Sequence, residues 1–244
     1  MHKNGLVPLV SVVIPAYNEE KYICSTLSSL LESVKKTDLN FEVILIDNNS
    51  SDDTTKVAQK FNKDLNLRII RETVQGRGAA RARGFREAKG RIILSADADT
   101  LFYEDWINTL VKGLENGAGA IATSCKIVDC SSLTNAMFNF MQPKLAVLYR
   151  IFFGHYWLGG FSFSITRPLY EASGGFDSTL QTLEDVDLSF KVSRLGKIKF
   201  INKPVIFSGR RFQKSLFLGM LQYVKTFIQA FILKNKQIYM DNPR

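Results

Sequence analysis

Three stretches of the chain set side chains where they can do chemistry. Asp97-Ala98-Asp99 follows the apolar run Ile92-Ile93-Leu94. Two carboxylates one residue apart, in a turn at a strand end, can approach one hard cation, Mg²⁺ or Mn²⁺, that bridges to substrate phosphates. The alternative is that Asp99 caps the helix near Glu104. Gly76-Arg77-Gly78-Ala79-Ala80-Arg81-Ala82-Arg83-Gly84 mixes small residues with guanidinium groups. Small residues admit a ligand close to the backbone, and arginines pair with phosphate. Arg83 and Arg86 read as the solvated side of a helix. The glycine spacing, and its place after the third strand, exclude a dinucleotide fingerprint. No Gly-Lys-Ser/Thr phosphate loop occurs either. Gly174-Gly175-Phe176-Asp177 leads into Leu183-Glu184-Asp185-Val186-Asp187-Leu188. Acidic residues open a helix favourably through its dipole, and one set beside a cleft can instead serve as a general base.

These groups need elements to hold them. Residues 10–14 form a β-branched apolar run stopped by Pro15, which predicts a buried strand. Apolar residues at helical spacing predict a helix over 19–34. The pattern repeats as strand 41–46, helix 53–61, strand Leu67–Arg71, helix 78–88, strand 91–96, helix 103–114 and strand 118–124. Such alternation predicts an α/β domain with a mainly parallel sheet covered by helices on both faces. Residues 15–19, 47–52 and 97–99 then fall at the carboxyl ends of strands, where ligands of such sheets bind. The regularity stops near residue 128. Residues 129–158 are rich in aromatics and Met, and Pro143 is expected to interrupt any helix there.

The chain of 244 residues, 45% hydrophobic and 23% charged, has the composition of a globular protein. Its net charge of +9 is concentrated in two blocks. Residues 68–91 carry eight basic and two acidic side chains, and residues 194–244 carry eleven basic and one acidic. The first block suits a small anion beside the acidic turn; the second suits an anionic surface. Nucleic acid is not an expected partner, because the aromatics of the tail fall at helical spacing and not on an exposed groove. Three cysteines with no CxxC spacing argue for a reducing compartment, hence a cytoplasmic protein, and against zinc. The first residues are expected to lead into the first strand, not to act as a signal peptide, and no membrane span is expected.

The tail opens with Ser208-Gly209-Arg210-Arg211-Phe212. Over 216–233 a helical projection gathers Leu216, Met220, Leu221, Val224, Phe227, Ile228 and Phe231 on one face. Such a helix either lies at the cytoplasmic membrane face as a peripheral contact, docks on its own domain, or joins a second subunit as a homodimer. Arg210 and Arg211 are candidate diphosphate contacts. Residues 133–153, with Phe138, Phe140, Met141, Leu145, Leu148, Ile151 and Phe152, either complete the same apolar surface or roof a cleft. His155 is expected to be structural.

Val-Ser-Val-Val-Ile-Pro-Ala-Tyr-Asn-Glu-Glu (10–20), Ile-Asp-Asn-Asn-Ser-Ser-Asp-Asp-Thr (46–54), Gly-Arg-Gly-Ala-Ala-Arg (76–81), Asp-Ala-Asp (97–99) and Gly-Gly-Phe-Asp…Glu-Asp-Val-Asp-Leu (174–188) stand in one order. In that order they resemble the family 2 glycosyltransferases, over about residues 9–200. The resemblance implies a GT-A fold, with a nucleotide half over about 1–100, an acceptor half over 101–207, and the basic tail at 208–244. It implies metal-dependent transfer of one sugar from a nucleotide-diphosphate sugar to a glycan or lipid-linked hydroxyl, usually with inversion, as a step in building cell-envelope polysaccharide. Pro15, Ala16, Tyr17 and Glu19 would line the nucleoside pocket, with Asp47 at the second motif. Arg77 and Arg81 would lie near the base or diphosphate. Asp97 would contact ribose or metal, and Asp99 would be the principal metal ligand. Asp185 would be the catalytic base, and Glu184, Gly159 and Gly160 would face the acceptor. Two positions depart from the family pattern: Asn48 replaces an Asp that often contacts uracil, and Ala82 replaces an Asn. A nucleotidyltransferase that forms sugar nucleotides shares the αβ plan but needs a Gly-rich loop after the first strand. An inactive membrane-associated binding module would lack the acidic motifs.

Overall fold

The computed structural model describes residues 9–115 and 117–229. The first part runs β1 (Val10–Ala16), α1 (Glu20–Lys35), β2 (Phe41–Asp47), α2 (Thr54–Gln59), β3 (Leu67–Arg71), α3 (Arg77–Glu87) and β4 (Ile92–Ala96). The second runs β5 (Thr100–Leu101), α4 (Trp106–Glu115), β6 (Ala120–Lys126), α5 (Ser132–Phe153), β7 (Ser162–Thr166), α6 (Arg167–Ala172), α7 (Glu184–Ser193) and β8 (Ile198–Phe207). A 3₁₀ turn, Arg210–Phe212, and α8 (Leu216–Phe227) follow. The expected tail helix therefore forms from Leu216; its part beyond residue 229, with Phe231, Lys234 and Lys236, lies outside the described residues, as do residues 1–8.

One eight-stranded sheet has the order β3-β2-β1-β4-β7-β6-β8-β5. β1 pairs in parallel with β2 (Val10 opposite Phe41) and with β4 (Val10 opposite Ile92). β7 runs against both β4 and β6, and β6 pairs with β8 in parallel. The sheet is thus mainly parallel, with β7 inserted in reverse and the two-residue edge strand β5 antiparallel to β8.

Consecutive strand residues point to opposite faces, and this splits the core in two. Val12, Ile14, Leu45 and Leu94 pack with Ile23, Leu27, Trp106 and Leu110 of α1 and α4 on one face. Val13, Ile44, Ile46 and Ile93 pack with Phe85, Phe163, Phe176 and Leu188 on the other. Both faces are covered, so the strands read as unbroken apolar runs.

Pro143 does not break α5, contrary to the sequence expectation. The helix is clamped from outside by amides spaced four and three residues apart. Asn135 bonds both backbone groups of Cys130, and Asn139 bonds both of Ile127. Gln142 Oε1 accepts from the Cys125 N–H. These tertiary bonds hold the backbone through the position where proline removes a donor. Ser131 caps the helix by accepting from the Thr134 N–H, and Gly154 ends it at φ 79°. Among the described residues no helix is long and apolar enough to cross a membrane.

Candidate active site

A cavity of about 600 Å³ opens at the carboxyl ends of β1 and β4. Its wall brings together residues far apart in sequence. Pro15 and Ala16 end β1, Tyr17 and Glu19 follow it, Arg77 and Arg81 come from α3, and Asp97 and Asp99 follow β4. Gly159 and Gly160 precede β7, Glu184 and Asp185 open α7, and Arg210 and Arg211 sit in the 3₁₀ turn. Asp47 is the exception: it is absent from the lining, and its Oδ1 accepts from the Ser50 N–H. Its neighbour Asn48 lines the cavity instead. Asn48 Nδ2 donates to the Glu72 and Val74 carbonyls, and its Oδ1 accepts from the Gly76 N–H. Gly76 has φ 142°, a conformation that suits glycine.

Arg81 is the centre of the polar floor and is only 3% exposed. Its Nε donates to Glu184 Oε1 at 2.8 Å and its Nη2 to Asp97 Oδ1 at 2.5 Å. Its Nη1 donates to Ser95 Oγ at 2.6 Å and to the Gly160 carbonyl. A Cβ at Gly160 would overlap this guanidinium, so the position must stay bare. Burial works against the Arg81 charge, but Asp97, Glu184 and Asp185 outweigh it and raise its pKa. Arg81 thereby ties the Asp97 turn to the start of α7.

Asp185 lies beside this floor. Its Oδ2 accepts the Gly160 N–H at 2.9 Å and its Oδ1 the Val186 N–H at 2.8 Å. Burial, and then the Glu184 carboxylate, push its pKa up to about 7 against the pull of Arg81. A carboxylate titrating near neutrality can take a proton and release it.

At the other end Arg210 reaches across to the first motif. Its Nη2 donates to Glu19 Oε1 and to Asp99 Oδ2, each at 2.8 Å, and its Nη1 to Glu19 Oε2. Burial, together with Asp97 and Glu19, pushes the Asp99 pKa up to about 7, opposed by Arg210. Glu19, Asp97 and Asp99 so concentrate negative charge that a guanidinium stands among them. Among the described residues no three His, Cys, Asp or Glu side chains close on one metal position. One or two carboxylates plus substrate phosphates are the usual Mg²⁺ or Mn²⁺ set, and Asp97 and Asp99 supply that number. The residues fit a divalent ion that arrives with a phosphorylated substrate. Arg77 and Arg211 add positive charge beside Arg210, and burial and these neighbours lower the Arg211 pKa.

Several lining residues carry no motif and escaped the sequence reading. Tyr149 of α5 and Trp157 line the cavity, and their Oη and Nε1 are buried without a hydrogen-bond partner. His155, outside the lining, is buried against Tyr149 and Phe190, as expected of a structural histidine.

The fold and this placement define the GT-A class. The mannosyltransferase PcManGT of Pyrobaculum calidifontis, solved with GDP-Man and Mn²⁺, superimposes with a TM-score of 0.66 at 23% identity. That alignment covers 96% of this chain and 67% of the other. S. aureus TarS in complex with UDP-GlcNAc gives a TM-score of 0.66 at 20% identity over 95% of this chain and 68% of TarS. The "Glycosyl transferase family 2" model matches residues 11–171, and the chain belongs to that family. In sequence it is 29% identical to the probable glycosyltransferase YdaM of Bacillus subtilis, over 96% of this chain and 61% of that protein. The chain therefore spans about three fifths of that relative's length.

Proposed function

We propose that this chain transfers a single sugar from a nucleotide-diphosphate sugar to a hydroxyl acceptor, with inversion and with Asp185 as general base. The observation that carries the reading is one cavity with two chemically distinct ends. At one end Arg210 gathers Glu19 and Asp99, with Arg77 and Arg211 nearby; at the other Arg81 links Asp97 to Glu184 beside Asp185. The neighbours' own donors, GDP-Man and UDP-GlcNAc, fit the same division of labour.

Pro15, Ala16, Tyr17 and Asn48 frame the nucleoside, and the arginines pair with the diphosphate. Asp97 and Asp99 would hold Mn²⁺ or Mg²⁺, which when bound offsets charge on the departing diphosphate. Glu184 fixes Arg81, and Arg81 holds the Asp97 turn in place. The Gly160 N–H aims Asp185 at the acceptor. The acceptor oxygen bonds to the anomeric carbon on the face opposite the leaving diphosphate, and its proton passes to Asp185. The 3₁₀ turn contributes Arg210 and Arg211 to the site, and the basic composition of 208–244 favours contact with a membrane surface, where envelope glycans are assembled.

A thermal-shift screen of nucleoside diphosphates and their sugars with Mn²⁺ tests the reading. At a hundredfold excess over Kd a donor stabilises by about 2.7 kcal/mol. For a chain of this size each kcal/mol is worth roughly 2–4 °C, so the expected shift is roughly 5–10 °C. No shift with any donor would remove the nucleotide-sugar site.

A further inference from the structure

Resting on the transferase reading, we infer that the acceptor is an amphiphile: its hydroxyl-bearing head sits at Asp185, and its hydrocarbon chain lies between α5 and α8. The cavity does not end at the polar floor. It continues between the two helices, where Leu145, Leu148, Phe152, Met220, Val224 and Phe227 form its walls. No charged side chain of α5 or α8 enters the lining. The rings of Phe153 and Phe227 bridge the helices at 5.7 Å.

Three features favour a lipid over a soluble glycan. A glycan running along these walls would leave its hydroxyls unpaired against hydrocarbon, which is costly. Gln142 is the one amide that α5 contributes to the lining, and its Oε1 already accepts from the Cys125 N–H. None of the 22 residues of α5 is buried, although the helix is largely apolar. Leu148, Phe152 and Val224 are open to solvent while lining the cavity. The groove thus has a lateral mouth through which a chain can lead to a lipid surface.

The head is served separately. Tyr149 Oη and Trp157 Nε1 are buried donors without partners, and both residues line the cavity. Asp185 lies close enough to Tyr149 to raise the phenol pKa, after the larger effect of burial. An unsatisfied phenol near a buried base, with a second unsatisfied donor elsewhere in the lining, is what a hydroxylated head would fill. In the transfer step the head's oxygen forms the new glycosidic bond as the anomeric carbon–diphosphate bond breaks. Its proton goes to Asp185, and the nucleoside diphosphate leaves.

The test uses the full chain with Mn²⁺ and decyl maltoside below its micellar concentration, with maltose as the chain-free control. Trp157 reports binding by fluorescence, since the other of the two tryptophans, Trp106, is fully buried. Each buried methylene is worth about fourfold in affinity, so decyl maltoside should bind at least about tenfold more tightly than maltose. Val224→Glu, at a position 54% exposed, should fold normally and weaken decyl maltoside about tenfold or more while leaving the maltose response unchanged. Equal affinity for both probes would overturn the inference, as would insensitivity to Val224→Glu. A concentration-dependent dimer that decyl maltoside fails to dissociate would overturn it too, assigning the groove to a second copy. Donor binding by the same sample separates the two levels. A chain that binds a nucleotide sugar but shows no amphiphile preference refutes only this inference, whereas one that binds no donor refutes the reading beneath it.

Discussion

Replacing Arg81 by Met should destabilise the protein far more than an ordinary ion-pair loss. The guanidinium is 3% exposed, and Glu184, its partner at 2.8 Å, is also 3% exposed. Methionine fills much of the same volume but leaves the Glu184 carboxylate buried without its donor. It also strips the Gly160 carbonyl and Ser95 Oγ of a shared partner. Removing one member of a buried pair costs about 3–5 kcal/mol. The Asp97 carboxylate is 36% exposed and can rehydrate, so it adds little. A domain holds roughly 5–15 kcal/mol in all, so a large share of the stability is at stake. Urea unfolding at pH 7 measures it as a fall in midpoint at unchanged slope. The double variant Arg81→Met, Glu184→Gln removes the stranded charge and should recover at least about 2 kcal/mol, a non-additivity expected only of directly interacting groups. A single-variant loss below about 1 kcal/mol, or strict additivity, would show that Arg81 does not hold the floor of the site together.

Two further outcomes follow from the carboxylates. The folded Asp185 pKa of about 7 lies above the ordinary aspartate value of 3.8. The folded state therefore binds more protons than the unfolded one across roughly pH 4–7, and stability falls as pH rises through that window. Asp185→Asn lacks this loss, so its melting temperature should exceed that of the wild type at pH 8, with the gap closing near pH 4. A gap independent of pH would contradict the buried, strained carboxylate. Asp99→Ala should abolish the Mn²⁺-dependent part of donor-induced thermal stabilisation; retention of full Mn²⁺ dependence would remove Asp99 as a metal ligand.

The first hundred residues were legible because both faces of their part of the sheet are covered. β1, β2 and β4 are continuous apolar runs, and the small residues of α3 announce a helix pressed against them. The part of the chain after residue 100 depends on distant partners. β7, Ser-Phe-Ser-Ile-Thr, carries no strong strand signal, and it becomes a central strand only because β4 and β6 lie on either side of it. Pro143 argued against α5, and the amides of Asn135, Asn139 and Gln142 override it through bonds to another segment. The acidic and glycine motifs were readable from spacing. The reach of Arg210 to Glu19, 191 residues earlier, was not. Tyr149 and Trp157 read as ordinary aromatics, and only their unpaired polar atoms in a cavity beside Asp185 set them apart.

The role of Asp185 as the base within a formed donor site is tested by one comparison. Donor affinity and kcat are measured on the same preparations of wild type and Asp185→Asn. General-base loss predicts a fall in kcat of about 10²–10⁴-fold, with nucleotide-sugar affinity retained. Near-normal turnover by the variant would contradict the central claim, and so would loss of donor binding in step with loss of turnover.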